Sequence, residues 1–172
     1  MKATHAIEGK RMIDVGDTAP DFTLPGLDGL NYSLHESGSE LVLLAILQAD
    51  CSACKLAAPY LNRLHAAYEN IGWAFWIVLQ DNEADARAFA AEYELRPTVL
   101  LDAPELSVSA AYDPDATPTL YLIEPERRVT LVSRGFDKGE LNEISRRIAR
   151  YTGTDYVEVA PADDGNPAFK PG

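Results

Sequence analysis

The sequence has few of the residues that build metal centres or bind polyanions. It contains only two cysteines and three histidines, with no second CxxC and no nearby Cys/His pair to complete four zinc ligands. Its 15 Lys and Arg are outnumbered by 27 Asp and Glu, for a net charge of −12. This balance argues against nucleic acid or an anionic membrane surface as a partner. No apolar run approaches the roughly 20 residues that a membrane span needs.

The length fits one domain with a sizeable core, since 47% of the 172 residues are apolar. We predict a flexible N-terminal arm at 1–12, a domain at 13–151 and a flexible C-terminal tail at 152–172. From Thr152 onward the composition shifts to Gly, Pro, Asp and Ala, which cannot bury enough surface to fold alone. The first residues lack the apolar core of a secretory signal, so we expect a cytoplasmic protein, or a periplasmic or secreted one if a signal was trimmed.

The two cysteines form one motif, Cys51-Ser52-Ala53-Cys54, at the junction of an apolar run and a stretch with helical spacing. Unpaired N–H groups and the helix dipole at a helix N-terminus favour a thiolate at Cys51. Cys54 follows three residues on, close enough to close a small disulfide ring. Zinc sites share this spacing, but a lone CxxC without further ligands favours redox chemistry.

The apolar patterning predicts strands alternating with helices. Turn residues at 25–29 indicate a β-hairpin near the N-terminus, and 41–47 is typical of a strand buried on both faces. We predict strands at 21–24, 31–34, 41–47, 73–79, 98–101, 119–123 and 129–133, and helices at 52–68, 82–94, 104–112 and 138–151. The βαβ crossovers imply parallel strands, while the last two strands, joined by a short turn, must be antiparallel.

Three segments together resemble thioredoxin-fold redoxins of the TlpA/ResA and AhpC/TSA type, over about residues 13–151. They are Val15-Gly16-Asp17-Thr18-Ala19-Pro20-Asp21-Phe22-Thr23-Leu24, the CxxC with Lys55, and Thr117-Pro118-Thr119-Leu120-Tyr121-Leu122-Ile123. The resemblance implies an α/β fold, a thioredoxin-like three-layer α/β/α sandwich. Its mixed sheet would have central parallel strands, an N-terminal β-hairpin extension and a C-terminal tail.

The resemblance also implies roles for four residues. Cys51 would be the nucleophile and Cys54 the resolving thiol of a thiol–disulfide oxidoreductase. Pro118 would be cis and face the dithiol, and Thr117 would pair with the backbone of an extended substrate. The implied partners are a protein or small molecule carrying a disulfide and an external thiol reductant. We expect no cofactor and no metal, and the chain has no nucleotide-binding fingerprint with which to recharge itself.

Three departures from the family pattern bear on the chemistry. Asp50 stands where Trp usually precedes the first cysteine; an anion there opposes a thiolate at Cys51, whereas Lys55 favours it. Ala45 stands where thioredoxin buries a carboxylate that accepts the proton of the second cysteine, so we expect slow resolution of mixed disulfides. The peroxiredoxin signature places Pro and Thr or Ser where this chain has Leu44 and Gln48.

Two other functions stay open at the level of sequence. The first is a thiol peroxidase, in which Cys51 is oxidised to a sulfenic acid that Cys54 resolves. The second is a non-catalytic binding module, in which two chains share a metal through their CxxC pairs or the fold serves only as an interaction surface. The hydroxyl that would orient a peroxide is missing at position 48, which makes a peroxidase less favoured than the oxidoreductase.

Overall fold

The protein is an α/β sandwich built on a five-stranded mixed sheet. The computed structural model describes residues 11–37, 40–69 and 72–172. Residues 1–10 of the predicted N-terminal arm lie outside these ranges. The strands are β1 (Thr23–Pro25), β2 (Asn31–Ser33), β3 (Leu41–Leu47), β4 (Trp73–Leu79), β5 (Thr98–Leu101), β6 (Thr119–Glu124), β7 (Arg128–Arg134), β8 (Phe136–Asp137) and β9 (Phe169–Lys170). The helices are α1 (Ser52–Ala67), α2 (Glu83–Glu92), α3 (Ser107–Tyr112) and α4 (Lys138–Thr152).

The central sheet has the strand order β5-β4-β3-β6-β7. β3, β4 and β5 are parallel, whereas β6 is antiparallel to both β3 and β7. All seven residues of β3 are buried, as expected for a central strand that is covered on both faces. The mixed sheet, its central parallel strands and the antiparallel last pair are confirmed.

The two faces of the sheet support separate apolar cores. Phe75, Ile77 and Leu79 of β4 pack with the inner sides of α1, α2 and α4. Trp76 and Val78 of the same strand point into the other core, with the β1–β2 hairpin and α3. This alternation along one strand follows from the pleat, and it yields the predicted three-layer sandwich.

The short helix α3 begins later than its sequence pattern predicted. We expected a helix from Pro104, but α3 begins at Ser107. The carboxylate of Asp102, only 1% exposed, accepts hydrogen bonds from the Val108 N–H (2.9 Å) and the Ser109 N–H (2.8 Å). Asp102 therefore satisfies the first free N–H groups of the helix from five residues upstream.

The C-terminal segment differs most from expectation. We expected a flexible tail from residue 152, whereas the structure packs residues 157–172 on the domain. Val159 and Ala160 are buried, and both of their N–H groups donate to the Asn142 side chain (3.1 and 3.0 Å). Ser145 donates to the Val157 carbonyl (2.6 Å). Composition indicated correctly that this segment has no core of its own; side chains of α4 bind its backbone instead.

A buried lysine is the strongest of these attachments. Lys138, 4% exposed, donates from Nζ to Asp164 Oδ1 (2.5 Å), the Pro161 carbonyl (2.9 Å) and the Asn166 carbonyl (2.9 Å). The Tyr60 hydroxyl of α1 also donates to Asp164. All three donors of the ammonium are thereby satisfied, which fixes the loop at 161–166 against α1 and α4.

Two kinds of feature are missing from the described ranges. No helix among them is long and apolar enough to cross a membrane. The same residues contain no group of three or more His, Cys, Asp or Glu side chains placed to hold a metal ion. The boundaries of the domain at 13 and 151 stay predictions.

Replacing Lys138 with Met should loosen the C-terminal segment. The variant keeps a long side chain but removes the ammonium donor from two carbonyls and from Asp164, which retains the Tyr60 hydroxyl and the Asn166 N–H. We expect the midpoint of thermal unfolding to fall by roughly 5 °C. We also expect residues 161–172 to become the first region that a protease cleaves.

The matched control for this variant is Lys55→Met. The Lys55 side chain is 45% exposed and lies 3.9 Å from Asp50, a surface pair that contributes little stability. Its unfolding midpoint should stay at the wild-type value. Equal unfolding midpoints and equal cleavage patterns for Lys138→Met and Lys55→Met would contradict the role of Lys138 as the anchor of residues 161–166.

Acid should weaken the same anchor. Hydrogen bonds from Lys138 and Tyr60 hold the pKa of Asp164 below its usual range. A carboxyl with a lowered folded-state pKa stabilises the fold fully above its unfolded value, near 4, and this contribution is lost as the pH falls below that value. We expect the exchange protection of the Asn166 amide, which donates to Asp164 Oδ1 (3.0 Å), to fall more steeply than that of β3 between about pH 5 and pH 3. In Asp164→Asn the protection should be low at both pH values.

Candidate active site

The junction between β3 and α1 presents the two cysteines. Cys51 is the residue that caps α1, with extended backbone angles (φ −144°, ψ 113°). Its Sγ accepts a hydrogen bond from the Cys54 N–H at 3.1 Å. The sulfur therefore occupies the position of an N-cap acceptor, where N–H groups and the helix dipole favour negative charge. The predicted placement of the CxxC at a helix start is what the structure has.

The loop that leads into Cys51 is bound to the next strand. The Ala49 N–H donates to Asp81 Oδ2 (2.8 Å), and the Gln80 N–H donates to the Leu47 carbonyl (3.1 Å). Asp81 lies two residues after the end of β4, which is paired with β3 along its whole length. These two hydrogen bonds therefore tie the position of the cysteine loop to the central sheet.

The loop before β6 faces Cys51 across the sheet edge. Cys51 Sγ donates to the Thr117 carbonyl at 3.1 Å, although the two residues are 66 positions apart in the chain. The Thr117–Pro118 peptide bond is cis, as the resemblance implied. The Pro118 carbonyl accepts from the Gly135 N–H at 2.8 Å, which attaches this loop to the end of β7. The structure therefore brings together all four residues that the sequence nominated.

The two thiols differ sharply in access to solvent. Cys51 is partly exposed, whereas Cys54 is fully buried in the core beneath α1. Burial, and next the hydrogen bond with Cys51, raise the pKa of the Cys54 thiol far above its usual range. Because the thiolate is the reactive form and Cys54 is buried, this thiol is shielded from reagents in solution.

The flanking charges compensate each other. Asp50 and Lys55, which we expected to act on Cys51 in opposite senses, form a surface ion pair with Nζ and Oδ1 3.9 Å apart. Ala45 is buried in β3 and brings no carboxylate to the site. Among the described residues, the groups that act on the Cys54 thiol are Cys51, the Gln48 backbone and the Thr117 side chain.

Sequence reasoning missed two residues of the site. Gln48 follows β3, and its Oε1 lies 3.5 Å from Thr117 Oγ1. Gly135 lies between β7 and β8 with φ +75°, where an added Cβ would be 2.7 Å from the Lys170 carbonyl. A glycine inside a run of strand residues does signal a close approach of backbone. It does not say which segment approaches.

The fold and the dithiol define the class of the protein before any relative is considered. A mixed sheet whose central strand ends in a CxxC at a helix start, facing a proline loop, is a thioredoxin-like arrangement. The model of the AhpC/TSA family matches residues 15–132, and the chain belongs to that family. The resemblance drawn from the sequence is therefore confirmed.

Similar proteins share the same redox class by name. The thiol-disulfide oxidoreductase ResA of Geobacillus thermodenitrificans is 28% identical over 127 residues, 73% of this chain and 72% of the relative. ResA of Bacillus subtilis is 29% identical over 128 residues, 74% of this chain and 71% of the relative. A solved structure described as thiol:disulfide interchange protein DsbE, from Chlorobium tepidum, is 30% identical with a TM-score of 0.73. That likeness covers 82% of this chain and 99% of the other.

Alkylation should distinguish the two thiols. In the reduced, folded protein at about pH 8, we expect iodoacetamide to modify Cys51 at least 100-fold faster than Cys54, because Cys54 has neither access nor thiolate. Mass spectrometry of the labelled peptides measures both rates. In Cys51→Ser the native protein should take up almost no label until urea unfolds it. Similar rates at the two cysteines would contradict the burial of Cys54.

Proposed function

We propose that the protein is a thiol–disulfide oxidoreductase that reduces disulfides with the Cys51–Cys54 dithiol. The Cys51 thiolate attacks one sulfur of the substrate disulfide, forms a mixed disulfide and releases the other substrate sulfur as a thiolate. Cys54, once deprotonated, attacks Cys51 Sγ, and the second substrate sulfur leaves. The substrate gains two electrons and two protons, and the enzyme is left with a Cys51–Cys54 disulfide. An external thiol reductant returns the enzyme to the dithiol state.

The observation that supports this proposal most is the difference between the two sulfurs. Cys51 is partly exposed, and its sulfur accepts the Cys54 N–H at the helix start, which suits a nucleophile. The Cys54 sulfur is buried three residues away, which suits a thiol that reacts only within the mixed disulfide. The names of the similar proteins are consistent with this division of roles.

The resolving step is the slow one in this proposal. Burial raises the pKa of Cys54, so its proton must leave before it can attack Cys51. Position 45, where thioredoxin has a carboxylate, is the buried Ala45. Deprotonation then depends on water or on the departing substrate thiolate, and mixed disulfides should persist longer than in a protein with a carboxylate at position 45.

Thr117 and Pro118 bind the substrate backbone in this proposal. Their loop lies against Cys51, through the contact between Cys51 Sγ and the Thr117 carbonyl. Backbone groups recognise an extended peptide without regard to its side chains, as in other forms of strand addition. The proposed substrate is therefore a disulfide whose flanking residues can extend alongside Thr117.

The structure adds physical reasons against the two alternatives. In a peroxidase, a hydroxyl three residues before the reactive cysteine would orient the peroxide, but that position holds Gln48, whose Oε1 lies 3.5 Å from Thr117 Oγ1. In a shared metal site, both thiols of each chain would have to reach the surface. Cys54 is 0% exposed, so it could not bind a metal that lies between two chains.

The cytoplasmic location, too, is a proposal. It implies that the thiol pool keeps the dithiol reduced in the cell. Trapping the thiols with acid in living cells, followed by alkylation, measures their state. A dithiol that is mostly oxidised in the cell would contradict this location and the proposed direction of electron flow.

Replacing Cys54 with Ser should trap the substrate. The assay is the reduction of insulin disulfides. Cys51→Ser should reduce insulin no faster than the uncatalysed reaction, because the nucleophile is gone. Cys54→Ser should form a mixed disulfide with insulin that persists at least about 10-fold longer than in the wild type. Non-reducing mass spectrometry detects this adduct directly.

The peroxidase reaction is the control for this experiment. Wild-type protein should consume hydrogen peroxide no faster than Cys51→Ser when no disulfide substrate is present. Rapid peroxide turnover by the wild type, together with no insulin reduction, would overturn the proposed function in favour of the peroxidase.

A further inference from the structure

The end of the C-terminal segment lies at the proposed substrate site. β9 pairs antiparallel with β8, with Phe136 opposite Lys170 and Asp137 opposite Phe169. The pairing begins with the Lys138 N–H, which donates to the Ala168 carbonyl at 2.9 Å. β8 follows directly on Gly135, which is bound to the Pro118 carbonyl. The segment therefore runs along β8 towards the Thr117–Pro118 loop.

Gly172 approaches the Thr117 backbone too closely for a side chain or another strand to fit between them. A Cβ added to Gly172 would lie 2.1 Å from the Thr117 carbonyl oxygen and 2.9 Å from the Thr117 nitrogen. The same carbonyl oxygen is 3.1 Å from Cys51 Sγ. Residues 169–172 thus cover the backbone that the proposed function assigns to the substrate.

We propose that the edge formed by Thr117, Gly135 and β8 is a binding site for an extended peptide, and that residues 169–172 are its resident occupant. This proposal rests on the proposed function, since it takes Thr117 as the residue that meets the substrate backbone. A peptide disulfide must displace residues 169–172 before it reaches Cys51. A small disulfide, which needs no backbone pairing along β8, does not have to displace all of them.

The two parts of the segment are attached with different strength. Residues 161–166 are fixed through buried Lys138. Beyond them, residues 169–170 are held by the two-residue pairing of β8 with β9, and Phe169 is 54% exposed. The end of the segment can therefore leave β8 by local opening while the anchor stays in place. The anchor also keeps it at a high effective concentration beside the site.

The short pairing between β8 and β9 explains why residues 169–172 can be displaced. β8 and β9 are paired over only two residues each, so few backbone hydrogen bonds oppose displacement. An incoming peptide would form the same kind of bonds with β8 and add its covalent step at Cys51. Occupancy by the segment lowers the apparent affinity for the peptide by the fraction of molecules in which the edge is free.

Ending the chain after Ala168 tests the proposal. This deletion removes β9 and Gly172 but keeps the anchor and the Ala168 carbonyl that binds Lys138. We expect the KM for a peptide disulfide of about ten residues to fall roughly 3- to 10-fold with kcat unchanged. The kcat/KM for hydroxyethyl disulfide, a small substrate, should change less than twofold, by about the measurement error.

Two full-length variants support the deletion. Lys170→Ala keeps the backbone of β9 and should leave both KM values at the wild-type level. Gly172→Val keeps the length of the segment, but its Cβ would lie only 2.1 Å from the Thr117 carbonyl oxygen. This clash should push the end of the segment off the edge, so the KM for the peptide should fall as in the deletion. Thermal unfolding identifies any variant that has lost the fold. If the deletion variant is unfolded, the peptide KM of Gly172→Val tests whether residues 169–172 occupy the site.

The outcomes separate this proposal from the one on which it rests. The deletion and Gly172→Val could both reduce the two disulfides while the KM for the peptide stays unchanged or rises. That result would overturn the proposal that residues 169–172 occupy the peptide site. The segment would then only cover the edge of β8, as proteins do to prevent strands from adding there. No reduction of either disulfide by any variant, with Cys51 still reactive to iodoacetamide, would overturn the proposed function itself.

Discussion

The antiparallel register between β3 and β6 determines whether this protein has a redox site at all. Ile46, near the end of β3, lies opposite Thr119 at the start of β6. Five residues beyond Ile46 is Cys51, and two residues before Thr119 is Thr117, so this pairing brings the sulfur and the carbonyl to the same edge. A shift of one residue would turn every side chain of β6 to the opposite face and displace Thr117 from Cys51. Because β3 is buried on both sides, the register is held by the core rather than by the site.

The same central strand explains the difference between the two thiols. α1 begins directly after the loop that follows β3, and it lies over the sheet face that carries the larger core. Cys51 lies at the cap with extended backbone angles and is not part of the helical face, whereas Cys54 in the first turn shares the packed face of α1 with Ala57, Ala58 and Leu61. Ala53, Ala57 and Ala58 let the helix approach closely, and Cys54 is buried with them. The burial that raises its pKa is thus a consequence of where α1 packs, and needs no dedicated group.

Most of the fold could be predicted from local patterns, because the apolar periods of the strands and helices are strong. The bounds of β3 and β4 agree with the sequence to the residue, and the nominated pair Thr117 and Pro118 does lie beside Cys51. The start of α3 could not be predicted, since it depends on Asp102, a carboxylate that reaches the helix from outside it. The pairing of Asp50 with Lys55 was missed for a similar reason: both were considered only through their effect on Cys51. Local sequence patterns do not predict which hydrogen-bond or ion-pair partner a polar group will have.

The C-terminal segment shows this limit most clearly. Lys138, Asn142 and Ser145 lie at helical spacing along α4, next to its apolar stripe of Leu141, Ile144 and Ile148. By sequence alone such polar residues indicate a solvated face, and the segment after 152 indicates disorder. Together the two satisfy each other, since the polar stripe of α4 binds the free backbone groups of the segment. Neither the polar stripe of α4 nor the composition of the segment predicts this contact alone, because each polar group could instead bind water at little cost in free energy. The position of residues 169–172 follows from this pairing, since the anchor at 161–166 directs the residues after it along β8 and towards Thr117.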